Sequence, residues 1–108
     1  MTFSYASEKF STARSLLMLP HPQGEDRSIA EAFFECSLGL TDIDRDQLDD
    51  DSRAWVEELD GLMSTEGVLD PKQEGAYLVK AREFTLDDRY RVSHLVDTLH
   101  YWFNQKRP

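Results

Sequence analysis

The residues best equipped for chemistry are His94-x-x-Asp97-x-x-His100, two imidazoles and a carboxylate at helical spacing. Such groups ligate zinc when several converge on one point. Here they spread over about a third of a helix circumference, so two could share an ion but three would be strained. No fourth ligand accompanies them, and no metal site is expected. A second candidate is Asp42-Ile43-Asp44-Arg45-Asp46, which alternates like a calcium loop. An EF-hand needs glycine at loop position six and a bidentate glutamate at twelve. Those places hold Gln47 and Arg53, so the turn is lost and the strongest ligand has become a cation. The acids read better as helix starters: Asp44 or Asp46 caps a turn, and Asp49, Asp50 and Asp51 crowd the first turn of a longer helix. Cys36 has no cation at helical spacing to lower its pKa and behaves as a small hydrophobe. The chain has no G-x-S-x-G elbow, P-loop or G-x-G-x-x-G run. Its many carboxylates fall on an exposed helix face, not in the apolar pocket that general acid catalysis requires. No enzyme activity, catalytic residue or cofactor is expected.

The element that must position the histidines is the last helix, Thr85 to about Asn104. Val92, Leu95, Val96, Leu99, Trp102 and Phe103 fall on one side of a 3.6-residue period, a stripe that must be buried. Thr85 and Asp88 mark its start, one as a side-chain acceptor and the other as an acid near the positive dipole end. Tyr90, His94, Asp97 and Tyr101 recur on the other side and form the candidate partner-binding stripe. Tyrosine suits an interface because it offers a large area with few rotatable bonds and a polar tip.

With 108 residues the chain makes one domain, 1–108, large enough for a core without staples. One cysteine allows no internal disulfide and points to a reducing compartment. Met1 to Phe10 lacks a basic segment followed by an apolar run, so no secretory signal is expected. No window reaches the ~20 apolar residues of a membrane span. The expected location is the cytoplasm, with no membrane partner. Twelve basic against 21 acidic side chains give a formal charge of −9, which argues against direct nucleic-acid binding. Between Asp42 and Asp60 nine acids face only Arg45 and Arg53, placing −7 of that charge in one region. The acidic surface comprises Asp42, Asp44, Asp46, Asp49, Asp50, Asp51, Glu57 and Glu58. It fits a partner with a basic surface.

The remaining chain reads as three helices and a connector. Helix one runs from near Ser4 to Leu19, with Phe3, Ala6, Phe10, Ala13 and Leu17 as its stripe, and stops at Pro20 and Pro22. His21 between them is expected to be solvated. Helix two, about Glu25 to Leu38, lines up Ile29, Phe33, Cys36 and Leu40. Phe34 lies off that stripe and either extends the core or is exposed. Helix three ends near Met63 and buries Leu48, Trp55, Leu59, Leu62 and Met63. Ser64 to Gly75 is a connector. Residues 76–84 fit a strand or a short helix and are read as a packed loop with one helical turn. Gln105 to Pro108 reads as a short frayed end whose two cations suit the helix dipole.

The run Arg27 to Ala32, then Leu38-Gly39-Leu40 with an acidic helix opening, and Gly75 to Phe84 before an acid-capped helix, resemble small uncharacterised bacterial helical proteins. The resemblance spans about residues 10 to 103 and implies no activity, so it transfers no functional residue. The expected fold is all-α: a compact four-helix orthogonal or bundle-like domain with a long connector before the last helix. The second and last helices are expected at its centre. The expected role is a non-catalytic interaction or accessory protein that docks on another protein or on a second copy of itself. The alternative is an acidic mimic of nucleic acid that occupies the basic groove of a DNA- or RNA-binding protein. Salt separates the two, because it should abolish the second kind of binding and barely change the first.

Overall fold

Small residues on the first helix set the architecture, because they let neighbours approach on two sides. A computed structural model of the protein describes residues 3–106. Five α-helices follow in order: α1 (Ser4–Leu16), α2 (Glu25–Asp42), α3 (Asp50–Met63), α4 (Ala76–Arg82) and α5 (Leu86–Lys106), with a 3-10 turn at Arg45–Gln47. The described residues contain no strand. α1 lies between α2 and α5, while α4 packs on α2 and α3 on α5. This corrects the expected centre: α1, not the pairing of α2 with the last helix, holds the middle. Ala6, Ser7, Phe10 and Ala13 are all buried on it. On α2, a Cβ built at Gly39 would lie 3.1 Å from Lys9 Cβ and 3.4 Å from Ala6 Cα, so even a methyl here makes α1 give by a few tenths of an ångström. The radius of gyration is 13.6 Å. A globular domain of this length has about 13 Å, so no helix stands away from the body.

The helix ends follow local chemistry. α1 stops three residues before the expected Leu19. Its last turn tightens, with the Leu17 amide shared between Ala13 and Arg14 carbonyls and the Met18 amide on Ser15. The residue before Pro20 cannot stay helical. α2 runs four residues past Leu38, because Leu40 is buried one turn on from Cys36. Asp42 is therefore the last residue of α2, not part of the turn that follows. Asp44 instead caps the 3-10 turn by accepting from the Asp46 amide at 3.0 Å. Asp49 caps α3 in a reciprocal box with Ser52, accepting the Ser52 amide at 2.8 Å while Ser52 Oγ accepts the Asp49 amide at 3.0 Å. Thr85 and Asp88 make the same exchange at the start of α5, at 3.0 and 3.1 Å. The last helix continues through Lys106, so Gln105 and Lys106 are helical and not frayed; Arg107 and Pro108 lie outside the described residues.

The 76–84 segment is helical for two turns, not one, because Leu78 and Ala81 are buried and Tyr77 and Phe84 pack edge-on to Phe33 of α2. The Asp70 carboxylate prepares its start by accepting the Glu74 and Gly75 amides at 2.9 and 2.8 Å. The bidentate Arg82–Glu74 pair, at 2.7 and 3.0 Å, closes the helix back on that turn. On the α3 side Leu48, Leu59 and Met63 are buried as expected, while Leu62 is only partly covered. Val56 is fully buried, whereas Trp55 is only partly covered.

Arg89 of α5 joins three helices. Its guanidinium donates to Glu25 at 2.7 Å, lies 2.8 Å from Asp26, and donates to the Ala81 carbonyl at 3.1 Å. It thus pairs with the acids at the start of α2 while capping the end of α4, with its side chain only 20% exposed. Arg89→Ala should cost about 2 kcal/mol, since the charge-assisted bonds to Glu25, Asp26 and the Ala81 carbonyl are lost together. Urea unfolding followed by circular dichroism measures it. A loss below about 0.5 kcal/mol, typical of a surface change, would show that the clamp is idle.

Candidate interaction face on the last helix

α5 is apolar on its inner side, where Val92, Leu95, Val96, Leu99 and Phe103 are buried. That leaves the opposite side outward, and Tyr90 and Tyr101 are 66% and 54% exposed there. His94 is exposed between them. Asp97 is not a free member of this stripe. Its Oδ1 accepts from Arg14 Nε at 2.6 Å, which ties the face to α1 and pushes the Arg14 pKa up. On the other flank Arg91 forms a two-pronged pair with Glu58 of α3. Glu58 is held below the usual carboxylate range by hydrogen bonds from Arg91 first, and by its charge.

The geometry does not gather the histidines. His94 is exposed while His100 is partly covered, and the buried Nδ1 of His100 has no hydrogen-bond partner. Burial and then the Arg14 charge push the His100 pKa down, against the pull of Asp97. Among the described residues no three His, Cys, Asp or Glu side chains are grouped to hold a metal ion. Cys36 is fully buried, and that burial drives its thiol pKa strongly upward. His21 departs from expectation: it is half-buried, and its Nδ1 lies 2.9 Å from Ser28 Oγ. Ser28 is buried, so this pair fastens the proline loop to α2 and does not present a nucleophile.

Two shallow hollows run along the seam between the outer face of α5 and the end of α1. One, of about 350 Å³, is lined by Arg14, Leu17, Met18, Ser93, His94 and Asp97. The other, of about 110 Å³, is lined by Leu17, His21, Leu86, Arg89, Tyr90 and Ser93. Leu17 and Ser93 border both, so Leu86, Tyr90, His94 and Met18 belong to one surface. Met18 and Leu86 are both exposed and were not foreseen. The signal for Leu86 was its place one turn before Tyr90; for Met18 there was none, since its position depends on where α1 stops.

A larger hollow, about 520 Å³, lies elsewhere, against Leu16, Ala30, Phe34 and the start of α4. Phe34 is 56% exposed in it, which resolves the earlier alternative. We favour the α5 face over this groove. The groove has a single exposed aromatic, and two of its three acids, Glu35 and Glu74, already pair with Lys9 and Arg82.

The acidic row is partly committed to the fold. Asp44 and Asp49 are caps and Glu58 pairs with Arg91. Asp42, Asp46, Asp50, Asp51 and Glu57 are exposed and make no ion pair among the described residues. Asp49 also accepts the Trp102 indole at 3.3 Å, joining α3 to α5. Its carboxyl is held low by the Ser52 amide first, then the Ser52 hydroxyl, with Trp102 and Lys106 helping. A lowered folded pKa means the contribution is full above the unfolded value, about 4, and is lost as pH falls through the folded one. Asp49→Asn should therefore flatten the acid limb of the stability curve, measured by thermal melting across that range. An unchanged limb would remove Asp49 from the acid response.

No helix among the described residues is long and apolar enough to cross a membrane. No family model, curated protein or solved structure matches the chain. The resemblance to small bacterial helical proteins therefore rests on the residues quoted for it.

Proposed function

We propose that this is a non-catalytic interaction or accessory protein, of the bacterial kind its sequence resembles, that works in the cytoplasm by docking through the outer face of α5. The observation that carries the reading is the exposure of Tyr90 and Tyr101 on a helix whose opposite side is fully buried. Tyrosines held on a rigid helix lose little entropy on binding. Met18 and Leu86 extend the apolar area beside them, and the Arg14–Asp97 and Arg91–Glu58 pairs give it a polar rim. This is the anatomy of a small recognition surface.

The test is association measured with Tyr90→Ala/Tyr101→Ala. Stability should stay within about 0.5 kcal/mol of the parent, as for exposed positions. Capture of partners from the native cell should be lost, at low and high salt alike. The competing reading, an acidic mimic of nucleic acid, is favoured only by the five acids of the α2–α3 region that make no ion pair among the described residues. It requires the opposite outcome: capture kept by the tyrosine variant, and lost in high salt or with Asp50→Asn/Asp51→Asn/Glu57→Gln.

A further inference from the structure

The outer stripe of α5 is symmetric in sequence. Tyr90 and Tyr101 are equidistant from the midpoint between Leu95 and Val96, and so are His94 and Asp97. A twofold axis crossing the helix at that midpoint would set Tyr90 against the Tyr101 of a second copy, and His94 against its Asp97. In a twofold interface residue i meets j while j meets i, and this stripe satisfies that condition with a donor facing an acceptor. We propose that the occupant of the α5 face is a second copy of this chain, with the two α5 helices antiparallel. The proposal rests on the docking reading above and names its partner.

Charge selects a second copy over a basic protein. The molecule carries −9, so two copies repel over most of their surfaces. The α5 face is the exception. Arg14 cancels Asp97 on one flank and Arg91 cancels Glu58 on the other, leaving Asp87 as the stripe's one charge without an ion pair among the described residues. The acids without an ion pair among the described residues, Asp42, Asp46, Asp50, Asp51 and Glu57, run from the end of α2 into α3, outside that stripe. A basic partner would find its complement there and not on α5. Area sets the strength. The two tyrosines, each more than half exposed, offer roughly 250 Å² between them, well short of the ~800 Å² per partner of a stable complex. The dimer is therefore weak and reversible, with a dissociation constant of roughly tens to hundreds of micromolar.

The experiment is sedimentation equilibrium of the whole chain up to about 500 μM, joined to disulfide trapping. Raising salt from about 20 to 300 mM should tighten the dimer severalfold by screening the repulsion. Tyr101→Arg should weaken it at least about tenfold. Tyr90→Cys mixed with Tyr101→Cys should cross-link, because the axis brings those positions within disulfide reach. Each variant alone should not, since the two positions lie roughly 16 Å apart along the helix. The native Cys36 is buried and stays silent. Equal cross-linking in all three samples, or a dimer that salt weakens, overturns the antiparallel pairing. A monomer at the highest concentration that still loses a cellular partner on Tyr101→Arg overturns self-pairing and leaves the docking face standing. A dimer indifferent to Tyr101→Arg overturns both.

Discussion

Replacing Phe103 by alanine is expected to lower the unfolding free energy by about 3–5 kcal/mol. The side chain is fully buried, and its ring centroid lies 5.1 Å from Phe10 and 5.4 Å from Phe3 of the α1 segment. Trp102 packs edge-on to both Phe3 and Phe103. Those rings are held by two helices, so they cannot collapse into the space left behind, and the cost lies toward the upper end for that reason. Set against the ~5–15 kcal/mol of a typical domain, this single change approaches the whole margin. Tyr101→Ala, two residues earlier on the same helix, should shift stability by no more than about 0.5 kcal/mol. Guanidinium unfolding of both variants decides the matter. Equal losses would mean that the inner and outer faces of α5 have been exchanged.

Gly39→Leu should cost about 3 kcal/mol by a different route. It adds volume where α1 and α2 nearly touch, with Lys9 Cβ, the Ala6 backbone and Phe10 Cδ1 all within 3.5 Å of the missing Cβ. The Ala6 contact is backbone and cannot rotate away, so α1 itself must shift. Because α1 is wedged between α2 and α5, that shift disturbs both seams. Gly39→Ala is the informative control. Alanine gains up to ~1 kcal/mol of helix propensity but must displace Lys9 Cβ by a few tenths of an ångström, so the net change should be small. A Gly39→Leu protein as stable as the parent would show that the α1–α2 spacing is set elsewhere.

What could be read in advance followed from local periodicity and capping. The buried side of α5 was legible because six apolar residues repeat at 3.6 intervals over a long helix, five of them buried and Trp102 partly so, and Thr85 and Asp88 marked its start. The outward position of Tyr90, His94 and Tyr101 followed from the same wheel. Asp97 was placed on that stripe correctly, but its bond to Arg14 of α1 depends on the tertiary packing of helices far apart in sequence. Arg89 was missed for a similar reason: among acids it looks like a solvated surface charge, and its partners come from α2 and the end of α4. On α3, Trp55 drew the buried stripe toward itself, although a large ring can be half-covered while Val56 takes the interior place. The 76–84 segment is too short for its period to decide, and Phe33 of α2 settles it by packing on Tyr77 and Phe84. Gly39 lay beyond the expected end of helix two at Leu38, and only the tertiary packing shows it as the place where α1 lies against the backbone of α2.

The pairing of α1 with α5 also governs the order of assembly during synthesis. Ser7 Oγ meets Asn104 Oδ1 across 97 positions of sequence, and Phe10 meets Phe103 beside it. A chain emerging from the ribosome can join α1 to α2 early, but the other flank of α1 has no cover until α5 follows. Long-range closure of this kind slows folding relative to a helical protein of neighbouring contacts and prolongs the exposure of Phe3 and Phe10. The nascent polypeptide thus carries an unsealed aromatic edge until α5 has been made.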